Sequence, residues 1–340
     1  EVADLNTEMV GTGPFKVEQY VQDQYLIVTK FADYQASDLP TSGLGGKKEA
    51  KVDKITYEFV TDASTRLSGL QTGQYDVAYP LSHDNYGLVN SDANLTAHSY
   101  PDEFGTMIFN KKEGIMSNPL MRQAVLAALD MEKILMSIYG DPFFFELDPS
   151  LALPEQKAWY NDAGKELYNQ KNAERAKELL AQAGYNGEEI HLMTSRDLVT
   201  VYNPSVAIQR QLQDVGMNVV LDVYDWSALL EQRKDPSLWD AFFTGWPAEP
   251  VPANFVFLHS SNGYAGWTNS PEIDSLVEGI RAAATQEEAS ELFKQLQQEF
   301  YEYVPAIKYG NGKGFAATSA KVTGFEYFYG GIPWKLDIQQ

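Results

Sequence analysis

The residue types that most often carry out catalysis are sparse and poorly placed in this sequence. It has no cysteine, which excludes disulfides, thiolate metal sites and cysteine nucleophiles. The histidines, His83, His98, His191 and His259, lie far apart, and no two have the spacing of paired metal ligands. No G-x-S-x-G, H-E-x-x-H or Walker A sequence occurs, and the glycine-rich stretch 308–315 is predicted to be a turn after a strand. We therefore predict no enzymatic activity, no metal and no cofactor.

The stretch best suited to hold a ligand is 245–255, which follows a predicted strand at 239–246. In open α/β sheets, ligands bind outside the carboxyl ends of the strands. Gly245 would let a ligand approach the backbone, and Trp246 would offer a flat apolar wall with one hydrogen-bond donor. Glu249 stands among prolines and could hold a cationic group. The alternative is that the prolines only shape a loop and that Glu249 is solvated.

Aromatic residues are frequent around this stretch, and most of them are expected in the core. Strand alternation places Trp246 on one face of the strand and Phe243 and Gly245 on the other. We predict that Trp246 and Trp267 contact a ligand, because each lies in a loop beyond the end of a strand or helix. Asn254, in the same loop as Glu249, is a further candidate.

The elements that would position this loop alternate between strand and helix. Hydrophobic alternation, helical spacing, caps and glycine stops predict this series. Its members are a helix at 172–183, a strand at 189–195, a helix at 204–215, a strand at 217–223, a helix at 226–233 and the strand at 239–246. That order is typical of a mostly parallel, doubly wound sheet.

The two ends of the chain have a different character from its middle. Short strands are predicted between 13 and 81 and again at 306–310 and 324–330. A long helix is predicted from Pro119 to Gly140, after the N-cap Asn118. The simplest topology has one lobe built from both ends of the chain and a second lobe inserted between them.

Length and charge narrow the function classes. The chain has 340 residues, which suggests roughly two domains. Its formal net charge is -21, from 26 Lys+Arg against 47 Asp+Glu. An anionic protein repels DNA, RNA and anionic membrane surfaces, so we predict no nucleic-acid partner. The favoured interpretation is an acidic exported protein that the charge keeps in solution.

Several motifs, in one order along nearly the whole chain, resemble family 5 extracellular solute-binding proteins, the peptide/nickel class of ABC-transporter binding proteins. Each motif is weak alone, and their common order makes the resemblance strong. They are Gly11-Thr12-Gly13-Pro14-Phe15, Arg66-Leu67 with Leu70, Gly73 and Asp76, Phe109-Asn110 followed by Arg122-Gln123-Ala124 and Leu129-Asp130, Ala176-Lys177 with Leu179-Leu180 and Ala183-Gly184-Tyr185, Asn269-Ser270-Pro271-Glu272 with Asp274, and Val304-Pro305.

The resemblance implies an α/β, periplasmic-binding-protein-like (type II) two-lobed clamp that closes on a ligand. Lobe I would be 1–104 and 306–340, and lobe II would be 105–305. Family members carry a substantial segment ahead of the first motif, where only ten residues stand here, so lobe I is expected to be incomplete. The implied function is the substrate-binding component of an ABC importer, monomeric and extracytoplasmic, either periplasmic or a cell-surface lipoprotein, with a membrane permease as partner.

The resemblance also implies a set of site residues. Peptide-binding members hold the α-amino group of the ligand with an aspartate just after a Gly-Trp pair, and Glu249 is at the matching position. Pro247 lies where peptide binders can offer a backbone N–H, and proline has none. Arg233 lies near a ligand-contacting arginine of some relatives, and Tyr309 is a further predicted contact.

The ligand implied by this set is a peptide or another small polar, amine-bearing solute. Phe243, where some oligopeptide binders carry a cation, weakens the case for a generic peptide, as Pro247 does. Two alternatives stay open: a ligand-sensing receptor of the same fold that acts in signalling, and an α/β hydrolase, for which no nucleophile-base pair is visible.

Overall fold

The computed structural model describes residues 9–41, 44–328 and 330–339. The chain divides into two compact units, Glu1–Pro101 with Lys313–Gln340 and Asp102–Gly312. None of the helices in the described ranges is long and apolar enough to cross a membrane.

Strands and helices follow one another in a mixed order along the chain. The strands are β1 Phe15–Val21, β2 Tyr25–Lys30, β3 Lys54–Glu58, β4 Val77–Ala78, β5 Leu95–Pro101, β6 Glu103–Phe109, β7 Phe145–Glu146, β8 Glu189–Ser195, β9 Asn218–Tyr224, β10 Ala241–Pro247, β11 Ala306–Lys308, β12 Asn311–Ser319, β13 Val322–Thr323 and β14 Asp337–Ile338. The helices are α1 Ala63–Gln71, α2 Tyr86–Ser91, α3 Pro119–Ala128, α4 Met131–Tyr139, α5 Ala173–Ala183, α6 Val199–Asp214, α7 Trp226–Gln232, α8 Pro271–Ala282 and α9 Gln286–Tyr303.

The first unit is built on small antiparallel sheets. One has the order β1-β2-β3, a second has the order β4-β12-β5, and β13 pairs with β14. Strand β2 pairs with β3, with Leu26 opposite Tyr57 and Val28 opposite Ile55. In the order of the described strands, β3 is an edge strand of this sheet. A cleft of about 650 Å³ lies against this edge, lined in part by Tyr57 and Tyr79. An exposed sheet edge was expected in this lobe, and the incompleteness of the lobe stays a prediction.

The second unit contains a five-stranded sheet in the order β11-β6-β10-β8-β9. Strands β8, β9 and β10 run parallel, whereas β6 is antiparallel to both β10 and β11. Four strands therefore point in one direction, and β6 alone opposes them. Helix α6 packs on β8, β9 and β10. The predicted helix–strand alternation between 172 and 246 is confirmed, with α6 starting five residues earlier than expected and Pro204 inside it.

The predicted helix from 119 to 140 is wrong in one respect, because it is broken into α3 and α4. Leu129 is extended, with ψ 138°, and ends the first helix. At the break, backbone N–H groups donate to side chains of distant segments. The N–H of Asp130 donates to Gln211 Oε1 at 2.6 Å, and that of Met131 donates to Asn169 Oδ1 at 2.8 Å. Contacts with distant segments therefore override an unbroken helical pattern.

The predicted elements near the C-terminus also need correction. The stretch 308–315, predicted to be a turn, contains the first five residues of β12, which pairs with β5 along 313–319 and with β7 at 311–312. The strand expected at 324–330 is reduced, among the residues described there, to an isolated bridge between Tyr327 and Gly331, and residue 329 lies outside the described ranges.

The boundaries of the two units differ from those predicted for the lobes. We predicted that 306–340 belongs with the N-terminal part, but 306–312 belongs to the second unit. The reason is that β11 pairs with β6 inside the five-stranded sheet. Residues 102–104 join the same unit, because β6 begins at Glu103.

Two arginines of the motifs hold backbone segments together. Arg66 Nη1 donates to the carbonyl of Val60 at 2.5 Å, and its Nε donates to that of Pro80 at 3.0 Å. Arg122 is buried and donates from Nη1 to the carbonyl of Met116 at 2.7 Å and from Nε to that of Val304 at 2.9 Å. Both side chains therefore stabilise the fold through these hydrogen bonds.

Candidate ligand-binding site

The carboxyl ends of β8, β9 and β10 form one edge of the five-stranded sheet. Because β6 is antiparallel to β10, it begins at that same edge: Glu103 pairs with Pro247, and Gly105 pairs with Gly245. The residues that follow β10 therefore lie where doubly wound sheets bind ligands. This edge combines residues predicted from the sequence, Gly245, Trp246, Pro247 and Glu249, with one that was missed, Glu103.

Trp246 forms an apolar wall whose polar atom is already used. Its indole N–H donates to Thr106 Oγ1 at 2.8 Å. Its ring lies 5.1 Å from that of Phe257 and 5.5 Å from that of Tyr264, measured between centroids. It is half-buried, so the rest of its surface can contact a ligand. Trp246 lies on the face of the strand opposite to Gly245, as strand alternation predicts.

Glu249 carries a negative charge that has no partner within the described ranges. Its backbone carbonyl accepts a hydrogen bond from Gln156 Nε2 at 2.7 Å, which fixes the loop at this residue. Its carboxylate makes no hydrogen bond or ion pair with any described residue, and the residue is half-buried. Pro247 is exposed and has no N–H to offer. The loop is therefore held at the backbone of Glu249, and the carboxylate of this residue is unpaired among the described residues.

The other face of the sheet at this edge carries the carboxylate of Glu103. A methyl group on Gly245 would lie 2.5 Å from Glu103 Oε2, so this side chain lies directly over the glycine. Burial raises the pKa of Glu103, the charge of Asp102 raises it further, and a hydrogen bond with Thr200 lowers it in part. No sequence pattern marked Glu103, because only strand pairing brings it beside Gly245.

Arg233 and Tyr309 are engaged within the fold. Arg233 Nη1 donates to the hydroxyl of Tyr264 at 2.9 Å, and the guanidinium lies 5.4 Å from the centre of the Phe242 ring. Tyr309 is 1% exposed and packs on Gly105. Its ring is thus part of the core, its hydroxyl has no hydrogen-bond partner among the described residues, and ligand contact by Tyr309 stays a prediction.

Trp267 and Asn254 are not brought together with Trp246. Trp267 stacks on Trp239, just before the start of β10, with a centroid distance of 5.6 Å. That is the amino end of the strand, opposite to Glu249. Asn254 is exposed and lines a separate shallow cleft with Arg281 at the end of α8. Our prediction that the two tryptophans wall one pocket assumed that their loops converge, and the strand separates them.

The described part of the chain contains no group of three His, Cys, Asp or Glu side chains that could hold a metal ion. Its buried polar residues bond mainly to backbone groups, as Asn110 does to the carbonyls of Pro236 and Trp239. At the end of β10, the carboxylates of Glu249 and Glu103 and the aromatic wall of Trp246 provide groups that can bind a cationic or zwitterionic molecule.

Comparisons with known proteins find relatives among periplasmic-binding proteins. A probable peptide ABC transporter periplasmic-binding protein of Sinorhizobium fredii is 26% identical over 342 residues, covering 94% of this chain and 63% of that protein. The glutathione-binding protein GsiB of Salmonella typhimurium is 27% identical over 340 residues, covering 95% of this chain and 62% of that protein. The chain thus spans somewhat less than two thirds of the length of these relatives.

The fold is that of solved periplasmic binding proteins. The ABC transporter substrate binding protein CtaP of Listeria monocytogenes superposes with a TM-score of 0.82 at 18% identity, over 97% of this chain and 67% of that one. The family model for bacterial extracellular solute-binding proteins, family 5 middle, matches residues 1–268. The chain therefore belongs to the bacterial extracellular solute-binding proteins of family 5.

Proposed function

We propose that the chain is part of the substrate-binding component of an ABC importer and that Glu249 is its main charged ligand contact. The observation that carries this proposal is the carboxylate of the half-buried residue Glu249, which is unpaired within the described ranges. It lies just past the carboxyl end of β10, where Gln156 holds the backbone. Family membership supports the transport role. Trp246 and Gly245 would form the wall and floor beside that charge.

The ligand would be a peptide or another small polar solute that bears an amine. A cation is the natural partner for an unpaired carboxylate, and the net charge of -21 favours cationic or zwitterionic molecules. The names of the relatives, which include peptide and glutathione binding, support the same class. Pro247 removes one backbone donor, so the ligand carboxylate would have to be bound elsewhere.

In this role the protein would work outside the cytoplasm, as a monomer without catalytic activity, and would deliver its ligand to a membrane permease. The name of the family and the periplasmic relatives support that location. A ligand-sensing receptor of the same fold is the alternative that the sequence left open, and a neighbouring permease or sensor-kinase gene would separate the two.

The test is isothermal titration of the full-length protein with Ala-Ala-Ala, its N-acetylated form and glutathione. Glu249→Gln should weaken binding of the free-amine peptide by at least ~10-fold, because removing one member of a charged pair costs about 2–5 kcal/mol. The matched control is Glu291→Gln, at an exposed position on α9. Equal affinity of wild type and Glu249→Gln for the free-amine peptide would contradict the proposal.

A further inference from the structure

Glu103 is a second carboxylate at the ligand end of the sheet, on the face opposite to Trp246. We propose that Glu103 forms a subsite for a basic side chain of the ligand, so that the preferred solutes are peptides or amines with a lysine-like or arginine-like arm besides their amino group. The proposal rests on the proposed function and deepens it. It names a specificity-determining residue that the sequence patterns did not reveal.

Two paired glycines make room for the two side chains that form this subsite. Gly105 and Gly245 are register partners on β6 and β10, and together they leave a floor without side chains. A methyl group on Gly105 would lie 2.9 Å from ring carbons of Tyr309, and one on Gly245 would lie 2.5 Å from Glu103 Oε2. The Tyr309 ring therefore covers one glycine and the Glu103 carboxylate covers the other.

The charge of Glu103 is not compensated within the described ranges. None of the ion pairs formed there involves Glu103, and Asp102, which precedes it, adds to the negative charge. Burial raises the pKa of Glu103, because the charged form loses hydrating water, and a hydrogen bond with Thr200 offsets this only in part. A carboxylate in that condition gains most from a cation that a ligand brings.

A polar atom beside this floor also lacks a partner. The hydroxyl of Tyr309, a side chain that is 1% exposed, makes no hydrogen bond with any described residue. The ring bearing it crosses Gly105, next to the glycine that Glu103 covers. Buried hydroxyls are normally hydrogen-bonded, so this one is available to a polar group that enters beside Glu103.

Two exposed apolar residues stand next in the chain to a residue that bonds to Glu103. Leu198 and Val199 precede Thr200, whose side chain bonds to Glu103, and they are 37% and 58% exposed. They follow β8, whose carboxyl end lies at the same edge of the sheet as that of β10. Lysine and arginine bury an aliphatic stem on such surface and place the charge at its end. The combination of these two apolar residues and the carboxylate of Glu103 fits that kind of side chain.

The experiment compares two tripeptides in the full-length protein by isothermal titration, Ala-Lys-Ala and Ala-norleucine-Ala, which differ in the terminal ammonium. Wild type should bind the lysine peptide at least ~10-fold more tightly, which is the factor that about 1.4 kcal/mol represents. Glu103→Gln should reduce this ratio to below ~2. Gly245→Ala should reduce it as well, because the added methyl displaces the carboxylate.

Glu291→Gln is the matched control, since it removes one negative charge at an exposed position on α9 and should leave the ratio near the wild-type value. Circular dichroism confirms that each variant is folded. A wild-type ratio near one, or a ratio that Glu103→Gln does not change, would overturn the subsite while leaving the proposed function intact. Failure of both peptides and of glutathione to bind wild type would instead reject the proposed function, and the subsite with it.

Discussion

Lys308, at the end of β11, carries its ammonium group into the interior of the second unit. The side chain is 1% exposed, its Nζ donates to the carbonyl of Ser150, and the ammonium lies 5.1 Å from the centre of the Phe104 ring. Burial lowers the pKa of Lys308 from 10.5 to about 8, and the charge of Asp148 opposes this shift in part. The charged ammonium therefore destabilises the folded protein at neutral pH.

The sign of the pH dependence follows from proton binding. Between about pH 8 and 10.5 the unfolded chain keeps its proton on Lys308 while the folded protein loses it. Stability rises with pH wherever the unfolded state binds more protons. A shift from 10.5 to about 8 corresponds to about 3 kcal/mol, at about 1.4 kcal/mol per pKa unit. This penalty is fully present below about pH 8 and is relieved as the pH rises to 10.5.

The perturbation is Lys308→Met, and the assay is urea unfolding followed by circular dichroism at a series of pH values. Between about pH 7 and about pH 10, the free energy of unfolding of wild type should rise relative to that of the variant by about 2 to 3 kcal/mol. Wild type sheds the cost of a buried charge over this range, whereas methionine has none to shed. All other groups titrate in both proteins and cancel.

Lys294→Met, at an exposed position on α9, is the matched control and should change stability by less than about 0.5 kcal/mol throughout. A difference between wild type and Lys308→Met that stays constant from about pH 7 to about pH 10 would refute the argument, because it would mean that burial does not perturb this lysine.

Two further substitutions test the packing of each unit. Arg122→Met should lower the free energy of unfolding by at least about 3 kcal/mol in urea titration, because several buried carbonyls lose their donor, whereas Gln123→Met should cost at most about 1 kcal/mol. Equal losses would contradict the buried role of the arginine. Gly314→Ala should cost about 1–3 kcal/mol by thermal unfolding, because its methyl would lie 2.2 Å from Tyr100 Cε2. Gly87→Ala has open space around it and should be nearly neutral, so a similar loss at both glycines would exclude the steric explanation.

Elements with local boundary signals were predicted closely from the sequence. Strand β8 has the predicted limits, and α5 ends where predicted and begins one residue later than predicted. This helix begins where the side chain of Asn172 accepts a hydrogen bond from the N–H of Arg175. Caps and hydrophobic periodicity act between residues a few positions apart, so the sequence contains them directly.

Strand β12 shows that local sequence patterns cannot predict a strand that depends on distant partners. Its glycine-rich first half predicts a turn, yet it forms a strand because β5 and β7 pair with it from distant parts of the chain. The glycines are needed there because Tyr100 lies where a side chain on Gly314 would project. A residue type that weakens an isolated strand is therefore required by the partner that packs on it.

For the candidate site, the order of strands and helices was enough to place Gly245, Trp246, Pro247 and Glu249 at the carboxyl end of β10. Antiparallel pairing was needed to bring Glu103 over Gly245, since the two residues are far apart in sequence. Contact between Glu249 and a ligand stays a prediction. Sequence determines which residues follow a strand, whereas the register between strands decides which distant side chain meets them.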